Sequence, residues 1–393
     1  MRRQVQSGLT AVVLLLGAAA ASATVKPQSE GFEAFYNLEY DRALAIFERN
    51  VAREPRNPEA WNHLAQAILY RALYRAGSLE GYLVGRSNAF LARPRATMAP
   101  EDEKRFQEAI ARSLSLCEER LKANRADKQA LYAAGVAYAH RAQYQFLIRK
   151  AYMDALRDGT RSRKQHAHLR QIDPDNPDAQ LIAGMHEYVT GSLPGWVRAF
   201  AFLAGFRGSR EAGIAMMEKA AREGQKTGVE ARGLLALVYA RESAPEKGVP
   251  LLAELVAAFP RNYLYRSEHL LLLASAKARP EALEALRTME QTFLGAAGRM
   301  APEKFAAVRG MAHFRLENWQ EAAAAFEEIA QPRQDRWAPL RARAYLYTGQ
   351  ISDLEGQRGK ALARYREAIR LAPESETARA AKAGLDRPFR KAP

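Results

Sequence analysis

Along almost the whole chain apolar residues recur at steps of three and four, and strand-like strict alternation is rare. Ala, Leu, Arg and Glu, all strong helix formers, fill these stretches, while Pro and Gly fall mostly between them. The pattern predicts an all-α protein. Residues 228–241, 263–278 and 281–294 read as helices. Pro260 closes a helix over residues 251–259, and Pro280-Glu281-Ala282 opens another, over 281–294. Lys128 to Arg157 reads as one long apolar-striped helix, about 45 Å at 1.5 Å per residue. Residues 79–100, with Gly81, Gly85, Pro94 and Pro100, read as an insertion between helices.

Three stretches share one register. Gly31 is followed by Tyr40, Ala43, Phe47 and Pro55, Gly310 by Trp319, Ala322, Phe326 and Ile329, and Gly349 by Gly356, Ala361, Tyr365, Ala368 and Pro373. A small residue precedes an Ala by twelve positions each time, and the Ala precedes an aromatic by four. The small residue lets a second helix approach the first. The Ala and the aromatic, one turn apart, face back into that contact. Pro then ends the second helix. This spacing resembles the tetratricopeptide repeat, a helix–turn–helix unit of about 34 residues. The resemblance implies a right-handed solenoid of stacked hairpins, roughly eight of them in this chain. The middle of the chain follows the plan less regularly, though Pro174 precedes Gly184 by ten positions, as Pro55 precedes Ala65.

Residues 191–213 differ in kind. Leu193-Pro194, Phe202-Leu203, Gly205-Phe206, Gly208, Arg210-Glu211 and Gly213 resemble a motif of the eukaryotic family of inclusion-body clearance proteins and the thirty-ninth group of tetratricopeptide proteins. That family is not secreted, so the resemblance implies a fold and no role. Trp196, Phe200, Leu203 and Phe206 form an apolar stripe within it. The expected place for this stripe is inside the superhelix, where it would be buried. The competing expectation is a surface helix rimmed by Arg198, Arg207 and Arg210 that meets lipid.

The N-terminus has the layout of a secretory signal peptide. Arg2-Arg3 precede an apolar run over residues 9–21, and Ala21-Ser22-Ala23 offers a small-x-small cleavage site. With no Cys at that site, a lipoprotein is excluded. The expected organisation is a signal peptide over residues 1–23, repeats over 24–75, an insertion over 76–100, and an irregular helical middle over 101–224. Repeats follow over 225–386, with a tail over 387–393.

The chain has 393 residues, a formal charge of +15 and a single cysteine, Cys117. One cysteine rules out a disulfide framework or a Cys-rich zinc module, and Cys117 is expected to be a buried small hydrophobe. The basic run Arg161, Arg163, Lys164 and Arg170 reads as a solvated face. It lacks the interleaved aromatics that single-strand binding needs, and export argues against nucleic acid. No nucleophile elbow, phosphate loop or His-Glu-x-x-His occurs. His166 and His168 are two apart on a helix, do not share a face, and read as solvated. His140, His186, His269 and His313 read as packing or surface residues. No catalytic residue, metal ligand or cofactor is expected.

The expected function is that of an exported, non-catalytic scaffold in the bacterial cell envelope, holding a protein or peptide partner in its concave groove. Groove candidates are Asn62, Gln66, Tyr132, Tyr188, Lys304, Arg343 and Gln350. The alternative is an envelope- or lipid-associated protein that contacts an anionic surface through residues 191–213.

Overall fold

The computed structural model describes residues 25–80, 96–192, 208–294, 300–330 and 338–391. Seventeen α-helices lie among them, and no strand does. They pair into eight hairpins, each with a first and a second helix. These are α1 (Glu30–Tyr36) with α2 (Tyr40–Arg53), α3 (Pro58–Arg75) with α4 (Pro100–Ala123), α5 (Lys128–Tyr144) with α6 (Tyr152–Ile172), and α7 (Gln180–Gly191) with α8 (Arg210–Glu223). There follow α9 (Gly228–Arg241) with α10 (Pro245–Ala258), α11 (Tyr263–Ser275) with α12 (Arg279–Phe293), α13 (Pro302–Arg315) with α14 (Trp319–Ala330), and α15 (Ala338–Leu354) with α16 (Arg358–Leu371). Helix α17 (Glu376–Asp386) covers the last pair. First helices also touch first helices across repeats, α3 on α5, α11 on α13, α13 on α15, and α15 on α17. That is the stacking of a helical solenoid.

The composition of each helix follows from its layer. First helices such as α3 are covered on two sides, and Ala60, Leu64, Ala65, Ala67, Ile68, Leu69, Ala72 and Leu73 are all buried. Second helices such as α2 bury one stripe (Tyr40, Ala43, Leu44, Phe47 and Val51) and turn a polar face outward. Chain punctuation is local. Asn57, Asp127, Ser209, Asn262 and Ser375 cap helix N-termini with their side chains. Pro58, Pro100, Pro245 and Pro302 occupy the first helical turn. The turn inside a hairpin is made with one left-handed residue at Leu38, Ser243, Lys277, Glu317 and Gly356.

The tetratricopeptide register holds where the sequence spelled it out. A Cβ on Gly31 would lie 2.5 Å from the Phe47 ring, on Gly310 2.6 Å from Phe326, and on Gly349 2.7 Å from Tyr365. Ala43, Ala322 and Ala361 are fully buried beside those rings. Each glycine is therefore a site of close approach rather than of special backbone conformation.

The middle departs from two expectations. The single helix over Lys128–Arg157 is interrupted. A wide turn at Gln145–Arg149 ends at Lys150, whose φ of 57° reverses the chain so that α6 returns along α5. Two facing halves can bury each other, whereas a projecting rod could not, and Arg141 locks them by a bidentate bond to Asp158 at 2.7 Å. His166 is the second correction. It is buried, not solvated, with its Nε2 2.5 Å from where a Gly135 Cβ would stand. It fills the slot that Phe or Tyr takes in the regular repeats, while His168 is exposed as expected. Cys117 is buried against Ala133 and Ala134, and burial pushes its thiol up to about 12.

Candidate functional site

The N-terminal hairpin does not stand free. After α9 to α11 have come round, it packs against them and closes the solenoid on itself. The Arg261 guanidinium bonds Glu39 at 2.7 Å and Glu33 at 2.5 Å, and its backbone N–H donates to Asn37 at 3.0 Å. Asn262 donates to the Tyr36 carbonyl at 2.6 Å, and the Tyr36 and Phe259 rings lie 4.9 Å apart. Lys226 bonds both carboxylate oxygens of Glu59 at 2.7 Å, and Lys304 pairs with the buried Glu80. Asn37, Asn262 and Glu80 are buried, so the Asn262 hydrogen bond and the Lys304–Glu80 pair are shielded from salt, while the Arg261 and Lys226 pairs are half-buried.

Closure leaves a cavity of about 610 Å³ on the concave side, within the usual range of ligand sites. Helices α1, α3, α5, α7, α9 and α11 supply most of its wall. The wall is mainly apolar and aromatic, including Phe32, Tyr36, Tyr70, Tyr132, Met185 and Tyr265. The rings brace one another. Phe32 meets His63 edge-on at 4.7 Å, Tyr132 meets His166 at 5.6 Å, and the Lys226 ammonium sits 4.7 Å over Tyr132. Tyr36 donates its hydroxyl to Glu230.

Burial sets the protonation of this wall. It holds His63, His140 and His166 down at about 4, so all three imidazoles are neutral near pH 7. Burial raises the Glu230 carboxyl, with the Tyr36 hydrogen bond working against it. Burial first and Glu230 second raise Tyr70 to about 12 and Tyr265 further. The tyrosines are therefore neutral donors.

Of the groove candidates, the structure brings Asn62, Gln66 and Tyr132 together in this wall. Asn62 is buried and donates to the Ala133 carbonyl at 2.8 Å. The others lie apart. Tyr188 is buried and donates to Glu242 at 2.8 Å. Lys304 is engaged with Glu80 and lies 5.8 Å over the Tyr263 ring. Arg343 and Gln350 sit on α15, beyond the closure. Trp196, Phe200, Leu203 and Phe206 lie outside the described residues. The described part of their motif is a helix crossing. A Cβ on Gly213 would be 2.5 Å from the Tyr188 backbone nitrogen, and one on Gly208 would be 2.6 Å from the Glu187 carbonyl. Arg210 pairs with Glu242 at 3.3 Å.

Sequence reading missed His63, Tyr36, Tyr70, Glu230 and Tyr265 and gave His140 and His166 no site. The available signal was weak: polar and aromatic residues on otherwise apolar first helices. It points to the concave side only once the helix register is known.

No protein-family profile matches the sequence, and no curated protein is similar to it. Similar solved structures include PilF of Pseudomonas aeruginosa, at 13% identity, covering 64% of this chain and 97% of that one, with a TM-score of 0.37. Yeast Tom70 has 14% identity, coverage of 90% and 87%, and a TM-score of 0.36. The anaphase-promoting-complex tetramer Cut9–Hcn1 has 12% identity, coverage of 90% and 74%, and a TM-score of 0.37. At such scores the tetratricopeptide-type fold rests on the helix pairing and the glycine–aromatic contacts of this chain itself.

Proposed function

We propose that the protein is a non-catalytic scaffold that binds a protein partner on its concave face, working in the bacterial cell envelope after removal of residues 1–23. The observation that carries this is the convergence of first helices from six hairpins on one recessed, aromatic-rich surface. Such a surface offers side-chain-sized recesses and main-chain-length reach to an extended segment. Leu237 and Met185, on its wall, are open enough to meet a partner. A photo-cross-linking residue at Leu237 or Met185 should capture one discrete protein in cells, and one at Glu108 on the outer face of α4 should not. Capture from Glu108 alone contradicts the reading.

A second reading keeps the envelope surface in play. Tyr152, Met153 and Leu156 at the start of α6 are exposed, Met153 by 71%, and so is Val189 near the end of α7. Exposed apolar side chains of this kind favour contact with lipid. Flotation of the mature chain with anionic vesicles, lost on Met153→Ser with Leu156→Ser, is the expected result under this reading. No flotation of the parent chain eliminates it.

A further inference from the structure

The cavity wall carries polar atoms shut away from bulk water and left without a hydrogen-bond partner. They are Asn62 Oδ1, Glu230 Oε2 and His166 Nδ1; Gln143 hydrogen-bonds His140, and Gln66 joins Tyr36 at the Glu230 carboxyl. Asn62 and His166 are each more than nine-tenths buried. Buried polar groups are nearly always satisfied, so a cluster of exceptions in one cavity marks a place where a ligand supplies the missing partners.

The atoms say which kind of ligand. A carboxylate oxygen and an amide oxygen only accept, whereas a neutral imidazole has one acceptor and one N–H donor and sets no direction. A ligand that satisfies Glu230 and Asn62 must donate to them. Charge points the same way. Among the described residues that line the cavity, Lys226 is the one cation, and Glu59 already holds it through both oxygens. An anion would face Glu230 and Glu268 with no uncommitted positive group beside them. A cation would find Glu230 as counter-ion on a wall that also carries Tyr70 and Tyr265, while Tyr36 meets Glu230 through its hydroxyl and stacks its ring on Phe32. Aromatic rings and a carboxylate lining one cavity are a setting that receives ammonium groups. Burial that makes an isolated Glu230 charge unfavourable makes a paired one correspondingly strong.

We propose that the closed concave cavity binds an ammonium group carried on an apolar stem, with Glu230 as its counter-ion and Tyr36, Tyr70 and Tyr265 as its wall. Asn62 Oδ1 is the further acceptor on the same wall. The inference rests on the concave-face reading above and names the chemistry which that face selects. A lysine side chain of a protein partner and a free alkylamine both present that chemistry.

Calorimetric titration of the mature chain with hexylammonium, hexanoate and Nα-acetyl-lysine amide tests it. Hexylammonium should bind and raise the melting temperature, and hexanoate, with the same number of carbons, should bind at least tenfold more weakly. Glu230→Gln, which keeps an acceptor for Tyr36, should weaken hexylammonium at least tenfold. Tyr70→Leu, which keeps apolar bulk without the ring, should weaken it less. Binding of acetyl-lysine amide with the same Glu230 dependence identifies a partner's lysine as the source, and its absence beside bound hexylammonium identifies a free amine. Equal binding of hexanoate, no binding of either hexyl probe, or hexylammonium binding indifferent to both variants overturns the inference. Cross-linking from Leu237 is read separately. Its persistence without amine binding removes this inference and leaves the scaffold.

Discussion

Tyr36, on the first helix of the chain, donates its hydroxyl to Glu230, which is 194 positions away on α9. One hydrogen bond thus joins the two ends of the closed turn and also forms part of the cavity wall. Stability and binding meet at the same pair of side chains.

Tyr36→Phe removes the hydroxyl that Glu230 accepts from while keeping the ring that packs on Phe259. Stranding a buried acceptor costs about 1–3 kcal/mol. Urea unfolding should show a loss of that size, with weaker protection of α1 and α2 amides in hydrogen exchange. Protection lost evenly over all the hairpins would mean that closure is not a local event.

Ala361 and Tyr365 are fully buried, and Tyr365 is gripped on both sides, by Gly349 on α15 and by Gly384 on α17. Ala361→Arg overpacks the site and buries a charge, and should cost several kcal/mol, on the order of 3 or more. Gly349→Ala places a methyl against the ring and should cost roughly 1–3 kcal/mol. Because an array can lose an end first, the expected signature is an early transition of α15 to α17. A melting temperature within a degree of the parent for Ala361→Arg would put the repeat register in error.

The three cavity imidazoles set a pH dependence. Unfolded, they titrate near 6.5, and folded, burial holds them at about 4. Between these values the folded protein binds fewer protons, so the stability they supply is complete above 6.5 and drains away as pH falls toward 4. Glu230 has the opposite sign. Its raised carboxyl takes up a proton earlier in the folded state and offsets part of the loss. The unfolding free energy from urea titrations should fall steadily from pH 7 to 4.5, by several kcal/mol in sum, since each tenfold difference in proton affinity between the two states is worth about 1.4 kcal/mol. His140→Gln with His166→Gln should flatten the curve. A parent value unchanged across that range would contradict burial of the rings.

Export is expected to leave Thr24 as the first residue of the protein in the cell envelope. N-terminal sequencing of the bulk protein that instead recovers Met1 or Arg2 would remove the envelope from the proposed function.

Much of the architecture was legible because it is local. Gly310, Ala322 and Phe326 lie within 17 consecutive residues, and their packing follows from helix geometry alone. The same holds for helix-opening prolines such as Pro280. Where a different residue performs the same packing, the pattern fell silent. His166 stands in for the aromatic opposite Gly135, at a spacing lengthened by the turn at Gln145–Arg149, so neither the hairpin nor the histidine's burial could be read.

In the regular repeats the sequence by itself determined the helices, their pairing and their two-layered character, since these depend on contacts between residues close in the chain. Tertiary structure alone decided that the solenoid closes, that Arg261 reaches Glu33 and Glu39, and that Tyr36, His63, His140 and Glu230 share one cavity. Closure depends on small rotations between neighbouring hairpins summed over several repeats. No single spacing encodes that sum, and a modest change in each step would leave every local contact intact while separating Tyr36 from Glu230.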